Sequence, residues 1–203
     1  MTALVIVDVQ RDFVPGGRLP VPRGDEIIPV INRIQSRYPL VVLTQDWHPP
    51  NHLSFASNHP GRKPFEKVEL DGLEQVLWPD HCVWNSEGAS FDPRLDTARA
   101  AAIFRKGMDP RVDSYSGFFD NGRRRRTGLA EWLRGMGVRR VHVVGLAADY
   151  CVAWTARDAA ELGFETAVLT DATMALSASD FERVAAGLRQ CGVVVESSDR
   201  VGI

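Results

Sequence analysis

The sequence predicts an α/β fold, a mainly parallel sheet covered by helices on both faces. Three observations predict it. Short apolar runs alternate with longer helical patterns along the chain. Several runs are continuously apolar, as strands buried on both faces are. The helical patterns stop at glycines, the usual C-terminal signal.

The elements follow in order. Residues 3–7 (ALVIV) form the first strand. Asp25 is placed to cap a helix carrying Ile27, Ile28, Ile31 and Ile34 on one face. Pro29 falls in its first turn, where the missing donor costs least. Residues 40–43 (LVVL) and 100–104 form the next two strands. A helix from about Thr127 to Met136 stops at Gly137. Strand 138–144 (VRRVHVV) precedes a helix that follows Asp149 and stops at Gly163. Strand 165–169 (ETAVL) precedes a helix that follows Ser179 and stops near Gly192, and strand 193–195 closes the pattern.

Residues 46–99 break this rhythm. They are rich in turn residues, hold four of the five histidines, and include Trp47, Phe55, Trp78 and Trp84. A long irregular segment inside a compact domain points to function. No boundary or repeat divides the chain, so one domain over 1–203 is expected.

Composition excludes several classes. Lys+Arg is 24 and Asp+Glu is 26, a net charge of −2, which argues against a general grip on nucleic acid or anionic membrane. No apolar stretch approaches the ~20 residues that cross a bilayer. The N-terminus lacks a basic start and a small-residue cleavage site, which predicts a cytoplasmic location. Three cysteines make no disulfide framework, so at least one thiol is free.

Asp8, Asp46, Lys106 and Cys151 each stand at or just after the carboxyl end of a different predicted strand. Ligands of open parallel sheets bind there, so topology alone brings the four together. Cys151 starts a helix, where unpaired N–H groups and the dipole favour a thiolate; the alternative is a small buried apolar residue. Asp8 follows an apolar run, which is costly unless the carboxylate is paired or used, and Lys106 is its natural partner. A structural ion pair accounts for those two but not for the thiol. Carboxylate, ammonium and thiol together make a general base, an electrostatic holder and a nucleophile.

Asp46 and His48 share one side of an extended chain, and His52 and His81 lie in the same irregular segment. A carboxylate with imidazoles suits zinc, iron or manganese more than magnesium or calcium; solvated loop histidines are the alternative. Cys82 beside His81 has no CxxC partner and reads as a buried thiol. Arg123–Arg126 reads as a solvated loop rather than a phosphate or nucleic-acid patch. GLAADYC lacks the GxGxxG spacing of a dinucleotide site. Cys191 and His142 read as packing residues.

The segments VDVQRDFVPGG, TQDWHPPNHLSF, WPDHC, FRKG, YSGF and GLAADYCV occur in that order over nearly the whole chain. Together they resemble the nicotinamidase/pyrazinamidase family of isochorismatase-like cysteine hydrolases. DWHP and WPDHC are the features that select this branch.

The resemblance implies a three-layer α/β/α sandwich with six strands in the order 3-2-1-4-5-6. That order sets Asp8 opposite Cys151. It implies Asp8, Lys106 and Cys151 as the catalytic residues and the backbone N–H groups of Ala147 and Cys151 as an oxyanion hole, with a cis peptide between Leu146 and Ala147. It implies Asp46, His48 and His81 as metal ligands, with His52 beside them and a ligand in some members. Phe13 and Trp78 would sandwich the substrate ring, and Tyr115 is similar to a third pocket residue. Two departures stand out: Ala148 replaces the usual threonine, and the arginine run is a local elaboration.

The implied activity is metal-dependent deamidation of nicotinamide, and of pyrazinamide, to nicotinate and ammonia through a cysteine thioester, serving NAD salvage. The metal would be Zn2+, with Fe2+ or Mn2+ as alternatives, and a homo-oligomer is compatible with the family. Two other readings remain open: a cysteine amidohydrolase of the same superfamily with a different small amide, and a thiol redox or zinc-binding protein.

Overall fold

The structure, a computed structural model, describes residues 1–202. In chain order the elements are β1 (Thr2–Val7), α1 (Ile28–Ile34), β2 (Leu40–Asp46), β3 (Lys67–Leu70), β4 (Leu73–Val76), β5 (Ala100–Lys106), α2 (Leu129–Gly135), β6 (Arg140–Leu146), α3 (Cys151–Glu161), β7 (Glu165–Met174), α4 (Ala178–Gln190) and β8 (Val194–Glu196).

Six strands pair in parallel, in the spatial order β5-β2-β1-β6-β7-β8. Counted without the separate hairpin β3–β4, this is the expected order 3-2-1-4-5-6. Every residue of β1 is buried, as its unbroken apolar run requires of a central strand. Ala3 is in register with Leu40 of β2 on one side and Val141 of β6 on the other.

Alternation along β1 assigns the two layers of helices. Ala3, Val5 and Val7 enter a core with Leu129 and Leu133 of α2, Val152 and Ala156 of α3, and Leu188 of α4. Leu4 and Ile6 point the other way, into a core with Ile28, Ile31 and Ile34 of α1.

Two local expectations are corrected. Asp25 does not cap α1: a 3-10 turn over Gly24–Ile27 leads into the helix, and the Asp25 carboxylate accepts from Arg94 Nη1 at 3.0 Å. The segment 46–99 is not wholly irregular, because β3 and β4 form an antiparallel hairpin. Its tip, Asp71-Gly72, has φ of +52° and +80°, the backbone that a two-residue hairpin turn demands.

The sheet also places the polar residues. Asp46 and Lys106 are the last residues of β2 and β5, Asp8 directly follows β1, and Cys151 opens α3 after β6. All four lie at the carboxyl rim, around the point where the connections leaving the neighbouring strands β1 and β6 run to opposite sides. Among the described residues no helix is long and apolar enough to cross a membrane.

Candidate active site

Lys106 is the hub. Its side chain is fully buried, and Nζ lies 2.5 Å from Asp46 Oδ1 and 2.7 Å from Asp8 Oδ2. The same nitrogen donates to the Ser114 carbonyl at 2.9 Å and lies 3.5 Å from Cys151 Sγ. Thr44 Oγ1 donates to Asp8 Oδ1 at 2.6 Å. Asp8 Oδ2, though close to the ammonium, makes no well-aligned hydrogen bond. It therefore retains a lone pair for a proton. Donor atoms of Asp8, Asp46 and Cys151 all lie within 4.8 Å of one another.

Burial and charge set the protonation states. Burial pushes the Asp8 carboxyl up to about 6, against the pull of Lys106. Burial acts on Asp46 too, but Lys106 and His48 outweigh it and hold that carboxyl well below the usual range. Burial works against the Lys106 charge, yet Asp46 and Asp8 reverse the balance and keep it an ammonium. For Cys151 burial wins: the thiol is pushed well up, with Lys106 opposing. Burial thus opposes the thiolate that a helix start favours, and a neighbouring base would assist its formation.

The second cluster lies on the other side of Asp46. Oδ2 of Asp46 is 3.5 Å from His48 Nε2 and 3.9 Å from His81 Nε2. The Nδ1 atoms of these two rings face the carbonyls of Gly107 (2.8 Å) and Pro79 (2.7 Å). A carbonyl can only accept, so each Nδ1 carries a hydrogen and the neutral ring presents its lone pair at Nε2. His48 Nε2 is buried without a hydrogen-bond partner. One carboxylate oxygen and two unprotonated imidazole nitrogens within 4.8 Å fit a transition-metal ion. The alternative group of Asp8, Asp46 and Cys151 does not, because the Lys106 ammonium already stands among those atoms.

His52 is prepared differently. Its Nδ1 accepts from the Ser54 backbone N–H at 3.1 Å, so the neutral ring carries its hydrogen on Nε2. Burial, then the neighbouring His48, pushes His52 down to about 4, so the neutral ring prevails at pH 7. Such a nitrogen donates a hydrogen bond rather than binding a metal. His48, His52 and Asp113 nevertheless bring donor atoms within 4.8 Å of one another.

A pocket of about 370 Å³, open mouth included, adjoins both clusters. Phe13, Trp78, Tyr115, Tyr150 and Leu176 wall it, and Asp46, His81, Ala147 and Cys151 reach its lining. Trp78 Nε1 donates to the Tyr115 hydroxyl at 3.2 Å. The Phe13 ring lies 5.4 Å from that of His81. The Leu146–Ala147 peptide is cis. In the turn that follows, Ala148 N–H donates to Met174 O, and Tyr150 and Val152 N–H both donate to Ala147 O. This leaves the N–H groups of Ala147 and Cys151 outside the backbone hydrogen bonds of the turn. Ala148, at the position of the usual threonine, has only a methyl group here and is buried.

Every residue singled out in the sequence for this site lies at the rim, in the pocket lining or, for His48 and His52, in the histidine cluster beside Asp46. Others were missed. Gln10 bonds both the N–H and the C=O of Asp46 at 2.8 Å each, as a pairing strand would. Gly107 supplies the His48 carbonyl, and a Cβ there would fall 2.3 Å from the ring. Asp113 is a buried carboxylate in the pocket wall. Gln10 and Gly107 lie inside the segments VDVQRDFVPGG and FRKG and Asp113 stands two residues before YSGF, but all three are in loops, where no periodicity assigns a side chain its role. One peripheral expectation changes: Cys191 is exposed rather than packed. The arginine run is the exposed loop expected, and each arginine pairs with an acid there: Arg123 with Asp158 and Glu161, Arg124 with Asp71, Arg125 with Asp109, and Arg126 with Glu131.

Residues 2–200 match the Isochorismatase domain family. The chain is 53% identical to the nicotinamidase of Escherichia coli over 173 residues, 83% of this chain and 81% of the relative. Among solved structures it is similar to the nicotinamidase/pyrazinamidase of Acinetobacter baumannii, with a TM-score of 0.95 at 48% identity, covering 98% of this chain and 96% of the other. It is also similar to the pyrazinamidase of Pyrococcus horikoshii in complex with zinc, with a TM-score of 0.80 at 40% identity over 97% and 98% of the two chains.

Proposed function

The chain belongs to the isochorismatase family, and we propose that it deamidates nicotinamide, and pyrazinamide with it, to the acid and ammonia. The observation that carries the reading is the convergence of Asp8, Lys106 and the Cys151 thiol beside an aromatic pocket. The nicotinamidase relatives support the choice of amide.

In this mechanism Asp8 takes the proton of the Cys151 thiol through Oδ2. The thiolate attacks the carboxamide carbon, and the N–H groups of Ala147 and Cys151 hold the oxygen as it gains charge. Such donors are worth roughly 3–4 kcal/mol each in well-studied hydrolases. The tetrahedral species collapses as Asp8 passes its proton to the leaving nitrogen, releasing ammonia and leaving a thioester. Asp8 then takes a proton from water, hydroxide adds to the thioester carbon, and the thiolate departs to regain the proton. Lys106 keeps Asp8 ionised between steps and orients it. Phe13 and Trp78 stack on the flat ring, with Tyr115 completing the pocket.

Asp46, His48 and His81, in the loop region 46–99, would hold one divalent transition metal, with the His52 Nε2–H beside it. Zinc is the leading candidate, given the zinc-bound pyrazinamidase relative, with iron or manganese suited to the same donors. When bound, the metal supplies a fixed anchor for the pyridine nitrogen. The reaction would act in the cytoplasm, in salvage of NAD.

The test is ammonia release from nicotinamide by the purified protein, before and after chelation and with each metal restored. Activity lost on chelation and regained with metal is the expected result. A folded, metal-loaded protein that releases no ammonia sinks the reading. Release that survives complete metal removal sinks the metal requirement alone.

A further inference from the structure

We propose that Gln75 positions the aromatic wall of the pocket, holding the Tyr115 hydroxyl and the Asp113 carboxylate from the hairpin and orienting Trp78 through Tyr115. Gln75 is the one buried residue in the eight of β3 and β4, at 4% exposed. Its Nε2 donates one hydrogen to Val76 O at 2.7 Å and shares the other between Asp113 Oδ2 at 3.2 Å and the Tyr115 hydroxyl at 3.4 Å.

An amide at the inward position of an exposed hairpin is costly to bury, and an apolar side chain would serve packing better. The amide is therefore explained by what it holds. The Tyr115 oxygen receives two donors, Gln75 Nε2 and Trp78 Nε1. Two donors from different elements fix where that hydroxyl lies. Trp78 is also gripped by edge contacts with Tyr115 (6.3 Å between centroids) and Tyr150 (5.0 Å). A shift of Tyr115 thus passes directly to the Trp78 indole.

The hairpin that carries Gln75 is held from outside as well. A lone two-stranded hairpin is marginal in water. At its tip the Asp71 carboxylate accepts from Arg111 at 2.8 Å, and the Asp71 carbonyl accepts from Arg124 Nη2 at 2.7 Å. Arg124, part of a run with no role in the proposed chemistry, thereby anchors the element that presents Gln75.

The inference rests on the deamidase reading for its kinetic arm, and a second arm does not need it. Gln75→Met keeps the length and removes the amide; Gln75→Leu is the second variant. In both, KM for nicotinamide should rise about tenfold, the size of one lost hydrogen bond to a buried partner, while kcat changes less than twofold. Tyr115→Phe should reproduce the rise, and the double variant should be no worse than either single one, as partners in one chain of contacts behave. Without substrate, the near-ultraviolet circular dichroism of the aromatic cluster should change alike in Gln75→Met and Tyr115→Phe, at a melting temperature close to the parent's. An unchanged KM in both Gln75 variants overturns the proposal, as do additive losses in the double variant. If the parent releases no ammonia, the deamidase reading fails, and an unaltered dichroism in the Gln75 variants still overturns the positioning role.

Discussion

Lys106 Nζ lies 2.5 Å from Asp46 Oδ1, while the other oxygen of Asp46 faces the Nε2 atoms of His48 and His81. One carboxylate thus joins the lysine beside Cys151 to the candidate metal ligands. Lys106→Met would leave Asp8 and Asp46 buried without their cation. Breaking a buried pair in this way costs about 3–5 kcal/mol. Denaturant unfolding should show a loss of that order, and ammonia release should fall with it. A stability within 1 kcal/mol of the parent, a bound set on the low side of about 3, would contradict the role given to Lys106.

Cys151→Ala removes the proposed nucleophile and leaves Asp46, His48, His81 and the aromatic wall in place. Turnover should drop more than about a thousandfold, the scale seen when a triad member is removed. Nicotinamide should still bind by calorimetry. Near-parental turnover would take Cys151 out of the nucleophile role.

The Asp8 carboxyl, raised to about 6 chiefly by burial, gives the reaction an acid limb. The base works only when ionised, so kcat/KM should fall as pH drops through about 6, and this profile reports the free enzyme. The same shift has the opposite sign for stability. A carboxyl raised above its unfolded value of 3.8 stabilises the fold below that pH, and the contribution is lost as pH rises through about 6. A limb centred at or below pH 4 would show that burial does not raise the carboxyl of the base.

Gly107 has φ of +67°, and a Cβ there would sit 2.3 Å from His48 Cε1 and 2.6 Å from Nδ1. Gly107→Ala should push the ring off its place and weaken its bond to the Gly107 carbonyl. Metal content after dialysis, measured by atomic emission, should fall well below one ion per chain. A fully loaded Gly107→Ala protein would show that His48 is not held for a metal.

The arginines of the run should differ in weight. Arg123 meets the buried Asp158 carboxylate, whereas Arg125 meets Asp109 with its own side chain 72% exposed. Arg123→Ala should lower stability by about 1 kcal/mol or more, and Arg125→Ala by less than about 0.5 kcal/mol, as exposed pairs do. Equal effects in thermal unfolding would remove the distinction.

Much of this architecture was legible in the sequence. Continuous apolar runs and glycine stops identified the six strands and four helices, because burial on both faces and helix termination are local requirements. The rim positions of Asp8, Asp46, Lys106 and Cys151 followed from strand ends alone. The hairpin β3–β4 escaped notice although Asp71-Gly72 is a strong turn signal, because its flanking strands are half exposed and lack an apolar pattern. The roles of Phe13, Trp78 and Tyr115 came from family likeness, since an aromatic in a loop has no periodicity to read.

What the sequence determined by itself was the order of elements and the end of the sheet where polar residues gather. Those depend on patterns within one segment at a time. Tertiary contacts settle which oxygen of Asp46 faces Lys106, which nitrogen of each histidine faces a carbonyl, and how far the Cys151 thiol is removed from water. Each depends on desolvation and on partners tens of residues away, as between Lys106 and Asp46. A one-dimensional pattern does not encode those distances, and in a buried site a change of about one ångström in them decides which charge survives.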